Sequence, residues 1–269
     1  MYIFLCFISF FLTYLIKKSA HKSMWVDNRK EKSYHKQATP TCGGLAIAFS
    51  WFLGITYFFF QGNLEKDLYQ ALLLGIPLVF LGFLDDLYNL KQRFRLLVQM
   101  GAVASALYIL GGLQQIDLGI AAYQNPYFLN TLAFVGITWV MNLYNFQDGI
   151  DGYAATEAIF LSLAGFFLFN DSLLLALACS VLGFVFWNWE KAKIFMGDTG
   201  SLFLGYTLSI FAIHYQNQGS SILVFVILFT AFWCDSTATL IRDLWNKEDI
   251  MKRHKRFVFH KLVSAGWSH

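Results

Sequence analysis

Residues 153–189 read YAATEAIFLSLAGFFLFNDSLLLALACSVLGFVFWNW. Two apolar runs, 153–169 and 172–189, are parted only by Asn170-Asp171, and the one charged residue inside them is Glu157. In lipid, a helix satisfies its own backbone and turns apolar side chains outward, and about 17–25 such residues cross the hydrocarbon. The stretch therefore reads as two consecutive membrane helices.

Seven more apolar segments lie on either side, at 1–16, 43–60, 68–84, 96–112, 130–146, 201–214 and 221–241. The expectation is an all-α, polytopic transmembrane bundle of about nine spans, forming one domain over residues 1–269. Only 14% of the chain is charged, against about 25% in a soluble domain. A water-soluble fold could not bury so much apolar chain. Residues 1–16 lack a basic leader, and Lys17 and Lys18 follow the run instead of preceding it. That order predicts a first span with its N-terminus outside, not a cleaved signal. Cys6, Cys179 and Cys234 sit in apolar runs, and with Cys42 they form no CxxC pair. Neither a disulfide nor a zinc site is expected.

The basic residues support this count. All Lys and Arg except Lys66 lie in 17–42, 85–95, 190–200 or 242–269. With nine spans these stretches share one face with the turn 147–152, and the positive-inside rule makes that face cytoplasmic.

Four stretches on that face carry chemistry. His35-Lys36-Gln37-Ala38-Thr39-Pro40-Thr41-Cys42-Gly43-Gly44 enters the second span. Its glycines allow close backbone approach, and free N–H groups at the helix start favour an anion; a plain turn is the simpler alternative. Asp85-Asp86-Leu87-Tyr88-Asn89 ends the third span. Adjacent carboxylates at the negative pole of a helix repel each other and gain nothing from its dipole, so a bound cation is the economical reason for them. Asp85 and Asn89 share a face if the helix continues. Asn145-Phe146-Gln147-Asp148-Gly149-Ile150-Asp151-Gly152 forms a turn between two spans, where Asp151 is also a natural N-cap. Phe195-Met196-Gly197-Asp198-Thr199-Gly200-Ser201 opens the eighth span; Asp198 can cap that helix, and the glycines around it suit backbone packed on a ligand. Hard carboxylate oxygens suit Mg²⁺, with Mn²⁺ as the alternative. Basic loops beside such an ion suit a polyphosphate, and the membrane boundary suits one soluble and one lipidic reactant. The pattern points to phosphoryl transfer onto a lipid.

The stretches HKQATPTCGG (35–44), LDDLYN (84–89), NFQDGIDG (145–152) and KIFMGDTGSLFLG (193–205) resemble, in order and spacing, the polyprenyl-phosphate N-acetylhexosamine-1-phosphate transferases. The resemblance covers essentially the whole chain. It implies an enzyme of the bacterial inner (cytoplasmic) membrane, with a cytoplasmic active site. The enzyme would move an N-acetylhexosamine 1-phosphate from a UDP-sugar to undecaprenyl phosphate and release UMP, starting a surface glycan such as O-antigen or capsule. In that pattern Asp198 binds Mg²⁺, and Asp85 and Asp86 share metal binding and activation of the lipid phosphate. Asn145, Asp148 and Asp151 match the nucleotide-holding segment. Lys36, Thr41 and Asn89 fall on the substrate side. His254 and His260 stand where the family carries a denser histidine motif. Asn89 in place of a lysine, and the closing GWSH (266–269), resemble the O-antigen-initiating branch more than the peptidoglycan one. Members usually continue with one or two further helices, so a short or C-terminally truncated form of reduced activity is expected. The expected partners are the UDP-N-acetylhexosamine, undecaprenyl phosphate, membrane lipid and a second copy in a homodimer; none is nucleic acid.

Two other readings compete. A Mg²⁺-dependent membrane prenyltransferase would use DxxxD motifs within helices, which the glycine turns fit poorly. A transporter would place charges at mid-membrane; Glu157 and Asp235 are its candidates, but both lie near the cytoplasmic ends of their spans, and Asp235 has a nearby base in Arg242. The topology is open to test by cysteine labelling from either side of the membrane. Residues 85–95, 147–152 and 190–200 are expected to be reached from the cytoplasmic side, and periplasmic labelling of 190–200 would overturn the nine-span count.

Overall fold

A computed structural model of the chain describes residues 1–20, 26–27, 39–117, 122–246 and 257–265. Within them the backbone is helical apart from loops and two small antiparallel bridges. One bridge pairs β1 (Val26–Asp27) with β2 (Thr39–Pro40), the other β3 (Ile116–Asp117) with β4 (Ala122–Tyr123). The helices are α1 (Tyr2–Ala20), α2 (Gly44–Phe60), α3 (Lys66–Leu73), α4 (Gly75–Tyr88), α5 (Gln92–Ile109) and α6 (Pro126–Gln147). They continue with α7 (Tyr153–Phe169), α8 (Ser172–Asn188), α9 (Asp198–Asn217), α10 (Leu223–Leu228), α11 (Thr230–Trp245) and α12 (Val258–Ser264). The fold is all-α, as expected.

Two of the nine apolar segments are broken helices. The segment 68–84 divides into α3 and α4 at Leu74. Pro77 lacks the N–H that would bond Leu73, which interrupts the ladder there. The Ala71 carbonyl takes bonds from Leu74 N and from the hydroxyl of Tyr206 on α9. The segment 221–241 divides at Phe229 into α10 and α11. There Thr230 Oγ1 and Trp233 Nε1 bond the carbonyls of Ile227 and Val226. By length and composition, α1 and the α3–α4 pair are long and apolar enough to cross a membrane, while α2, α7 and α8 are apolar but shorter.

The bundle is built around α9. Every residue of it except His214 and Asn217 is buried. The outer surfaces are apolar instead of polar: Ile3 and Phe7 on α1, Phe80 on α4, Leu97 on α5 and Phe167 on α7 are exposed. A surface of that kind is stable against lipid and aggregates in water.

Small residues set the helix spacing. A Cβ at Gly205 of α9 would lie 2.9 Å from the Cα of Met141 on α6, and one at Gly183 of α8 would lie 2.2 Å from the carbonyl oxygen of Cys6 on α1. The same α1–α8 contact is pinned by Trp187 Nε1, which donates to the Phe10 carbonyl at 3.1 Å. At the bundle end away from the acidic motifs, Asn217 Nδ2 donates to Gly112 O at 2.7 Å, and the Tyr215 hydroxyl donates to Asp171. Asp171 also caps α8 through Leu173 N.

The glycine contacts give a graded prediction. Gly183→Ala puts a methyl into the α1 backbone and should cost about 1–3 kcal/mol. Gly101→Ala, where a Cβ meets nothing within 4 Å, should be neutral or raise stability by about 0.5–1 kcal/mol. Thermal unfolding of the detergent-purified variants measures both.

Candidate active site

Three helix ends meet at one end of the bundle: the C-termini of α4 and α6 and the N-terminus of α9. Glycines make this possible. A Cβ at Gly82 of α4 would lie 2.4 Å from Thr199 N, and one at Gly44 of α2 would lie 2.2 Å from Gly200 N. The start of α9 is thus wedged backbone-to-backbone between α2 and α4. Gly197, at φ +76°, precedes it; a Cβ there would stand 2.4 Å from Asp86 Oδ2 and 2.7 Å from Thr41 Oγ1.

Asp86 closes the end of α9. Its Oδ1 accepts Asp198 N at 3.0 Å; its Oδ2 accepts Thr199 N at 3.2 Å and the Thr199 hydroxyl at 2.7 Å. The next two amides, Gly200 N and Ser201 N, both bond Gly197 O. The first amides of α9 are therefore satisfied, with a carboxylate standing at the helix's positive pole. The sequence suggested Asp198 as cap of this helix; the structure gives that role to Asp86, from another helix.

Asp198 instead turns its carboxylate into the site. Its Oδ1 accepts Asn145 Nδ2 at 2.9 Å, and the same amide reaches Ser201 Oγ at 2.9 Å. Its Oδ2 pairs with Arg95 Nη2 at 2.7 Å. Asp85 lies on the other side of that guanidinium: Oδ2 pairs with Arg95 Nη1 at 2.7 Å, and Oδ1 accepts Leu90 N at 2.7 Å. The helix does not continue to Asn89, which ends α4 in the left-handed region at φ 52°. That conformation suits Asn, and Asn89 N bonds Asp85 O.

Asp85 and Asp86 stand beyond residue 84, where the apolar stretch ends. Asp85 and Asp198 are buried and Asp86 is half-buried, and Arg95 bridges Asp85 and Asp198; a divalent cation would add further positive charge to this acidic corner. Among the described residues no three Asp, Glu, His or Cys side chains already form a metal cage. Mg²⁺ is commonly held by one or two carboxylates, with waters and substrate phosphates completing the shell. The hard-oxygen donors Asp198 and Asp85 fit such an ion.

The other expected residues fall into two groups. Asp148 ends α6 as its C-cap, beside the site. Asp151 does not cap α7, whose N-cap is Gly152. Asp151 Oδ2 accepts Ala192 N at 2.8 Å, and Asn188 ties Gly152 N to Ile194 O, so this turn holds the 190–197 loop. Thr41 reaches the site beside Gly197. The anion site expected at Gly43 and Gly44 is not formed, because their amides donate to Phe195 O and Met196 O, both at 2.9 Å. Asp235 accepts from Gln147 Nε2 and Val258 N, whereas the neighbouring base Arg242 pairs with Asp243. Lys36 and His254 lie outside the described residues. The backbone of His260 lies in α12.

Sequence reading did not single out Arg95, Thr199 or Ser201. Arg95 looked like one more cytoplasmic-side charge, and only its placement beside two carboxylates marks it.

The family model for glycosyl transferase family 4 matches residues 68–216, which enclose the helix ends that carry Asp85, Asp86, Asn145 and Asp198 but not the start of α2. A Bacillus subtilis protein described as a probable undecaprenyl-phosphate N-acetylglucosaminyl 1-phosphate transferase is 33% identical, over 96% of this chain and 75% of its own. The undecaprenyl-phosphate alpha-N-acetylglucosaminyl 1-phosphate transferase of Thermotoga maritima is 33% identical over 75% of this chain, which spans 61% of that protein. A phospho-N-acetylmuramoyl-pentapeptide-transferase of Helicobacter pylori is 29% identical over 97% of this chain and 85% of its own.

The cap on α9 generates a stability prediction. Asp86→Asn places an amide donor where Thr199 N and its hydroxyl both donate, and should destabilise by about 1–3 kcal/mol. Asp198→Asn removes a buried like charge and should unfold at or above the wild-type temperature. Thermal unfolding in detergent separates the two roles.

Proposed function

The chain belongs to glycosyl transferase family 4, and from that premise we propose that it transfers an N-acetylhexosamine 1-phosphate from a UDP-sugar to undecaprenyl phosphate. Convergence of Asp85, Asp86 and Asp198 around Arg95, at the end of an apolar helix bundle, carries this reading. The two relatives of highest identity above bear names with N-acetylglucosaminyl 1-phosphate transfer and undecaprenyl phosphate, which favours N-acetylglucosamine as the sugar. In this reading the bundle crosses the bacterial inner membrane nine times, with the site facing the cytoplasm.

The reaction makes one P–O bond and breaks another. An oxygen of the lipid phosphate attacks the β-phosphorus of the sugar nucleotide, and UMP leaves with the electrons of the bridging P–O bond. Such chemistry asks the protein for alignment and charge neutralisation. Asp198 and Asp85 would hold Mg²⁺, or Mn²⁺ in its place, which would supply positive charge for the phosphates. Asp86 sets the position of Asp198 by locking the first turn of α9. Asn145 holds the Asp198 carboxylate in one orientation. Asp148 and Thr41 line the nucleotide side, while Asp151 keeps the 190–197 loop in place. The amides at the start of α9 are already satisfied, so that helix end would leave the phosphates to side chains and to a bound ion.

A hollow of about 710 Å³ lies beside the 148–152 turn, between α11 and α12. Ile150, Tyr153, Ala238, Val258 and Leu262 line it, with Arg242 and Lys261 among its polar groups. An apolar wall with basic residues suits a prenyl chain ending in phosphate. The histidines His254 and His260 are assigned to the diphosphate on the strength of the family resemblance alone.

The test is a lipid-extraction assay. Membranes carrying the chain, given Mg²⁺, undecaprenyl phosphate and labelled UDP-sugars, should move label from UDP-N-acetylglucosamine into the organic phase. Asp198→Asn should lower this by at least about 10²-fold, since an amide lacks the charge that holds the ion. Label carried only from a muramoyl-pentapeptide donor would assign the peptidoglycan reaction instead, and no transfer from any donor by a folded protein would overturn the proposal.

A further inference from the structure

The site contains a cation of its own. Arg95, in the first turn of α5, spans two carboxylates on two other helices, Asp85 on α4 and Asp198 on α9, with both contacts at 2.7 Å. The Arg95 side chain is only 17% exposed, so this is not a screened surface pair. Each carboxylate commits one oxygen to the protein frame: Asp85 Oδ1 to Leu90 N, and Asp198 Oδ1 to Asn145 Nδ2. The other oxygen of each goes to Arg95. A divalent cation held by Asp85 and Asp198 would call on those same Oδ2 atoms, since each Oδ1 is already committed.

We propose that Arg95 is a positioning residue that competes with the divalent cation for Asp85 and Asp198. This inference rests on the metal-dependent reading of the site given above. Before the ion arrives, the planar fork holds α4 and α9 at a set separation and offsets part of their carboxylate charge. When the ion binds, one arm of the guanidinium must give way. The protein alone therefore holds the ion weakly, and substrate phosphates supply the ligands that tip the exchange. Mg²⁺ favours this arrangement, because it retains several positions for water and phosphate. A lysine could not replace the fork, since an ammonium is a point charge without two parallel arms.

The measurement is Mn²⁺ binding to the purified full chain in detergent, without nucleotide or lipid, read as the electron-spin-resonance signal of free Mn²⁺. Arg95→Gln should bind Mn²⁺ about tenfold more tightly than wild type, because a positive charge next to the ligands is gone. Its sugar transfer should nevertheless fall. Arg95→Lys keeps the charge but cannot bridge, and should lie between the two. A merely structural arginine predicts the opposite, weaker binding on removal. Should Arg95→Gln fail to fold, Arg95→Lys still decides: affinity equal to or below wild type overturns the competition. Wild-type Mn²⁺ binding unaffected by Asp198→Asn would overturn the metal reading itself. Binding that is lost in Asp198→Asn yet not tightened in either Arg95 variant overturns only the role of Arg95.

Discussion

A single carboxylate on one helix closes the end of another. Asp86 gives both oxygens to the first turn of α9, and the rest of the site follows from that constraint. Helix α9 is buried along almost its whole length. Its first amides point into protein where water cannot satisfy them, and an unpaired buried donor costs about 1–3 kcal/mol. With Asp86 supplying that cap from outside the helix, Asp198 at the first helical position is released from capping. Its carboxylate faces Arg95 and Asn145 instead.

The cap works because the helices come unusually close. Gly82, Gly44 and Gly200 let three backbones touch where any side chain would collide. The close approach delivers acidic helix ends from distant parts of the chain to one point. It also explains why adjacent aspartates are tolerated at the negative pole of α4. Asp86 meets the positive pole of α9 and Asp85 meets a guanidinium, so each gains a partner that its own helix could not provide. Asp198 shares that guanidinium with Asp85.

Much of the fold was legible from the chain alone. Long apolar runs forced helices, and each run became one helix or a pair broken at a definable point. Pro77 could have announced the first break; no proline marks the second, at Phe229, where side chains instead take up the freed carbonyls. The acidic motifs were legible too, because paired carboxylates at helix ends have no local explanation. Roles within the motifs were not. Gly43 and Gly44 looked like an anion cradle, yet their amides are taken by Phe195 and Met196 about 150 residues away. Asp151 looked like a cap and instead holds Ala192.

What the sequence determined by itself is therefore the apolar helical bundle and the set of motifs at one end of it. Both rest on local quantities: run length, hydropathy, the charge of adjacent residues and the backbone freedom of glycine. Only the tertiary structure decided which carboxylate caps and which faces the site, and that Arg95 belongs with them. Those assignments depend on partners 10 to 113 residues apart. No local pattern encodes such a pairing, because it is created only when helix packing brings the two ends within hydrogen-bond distance.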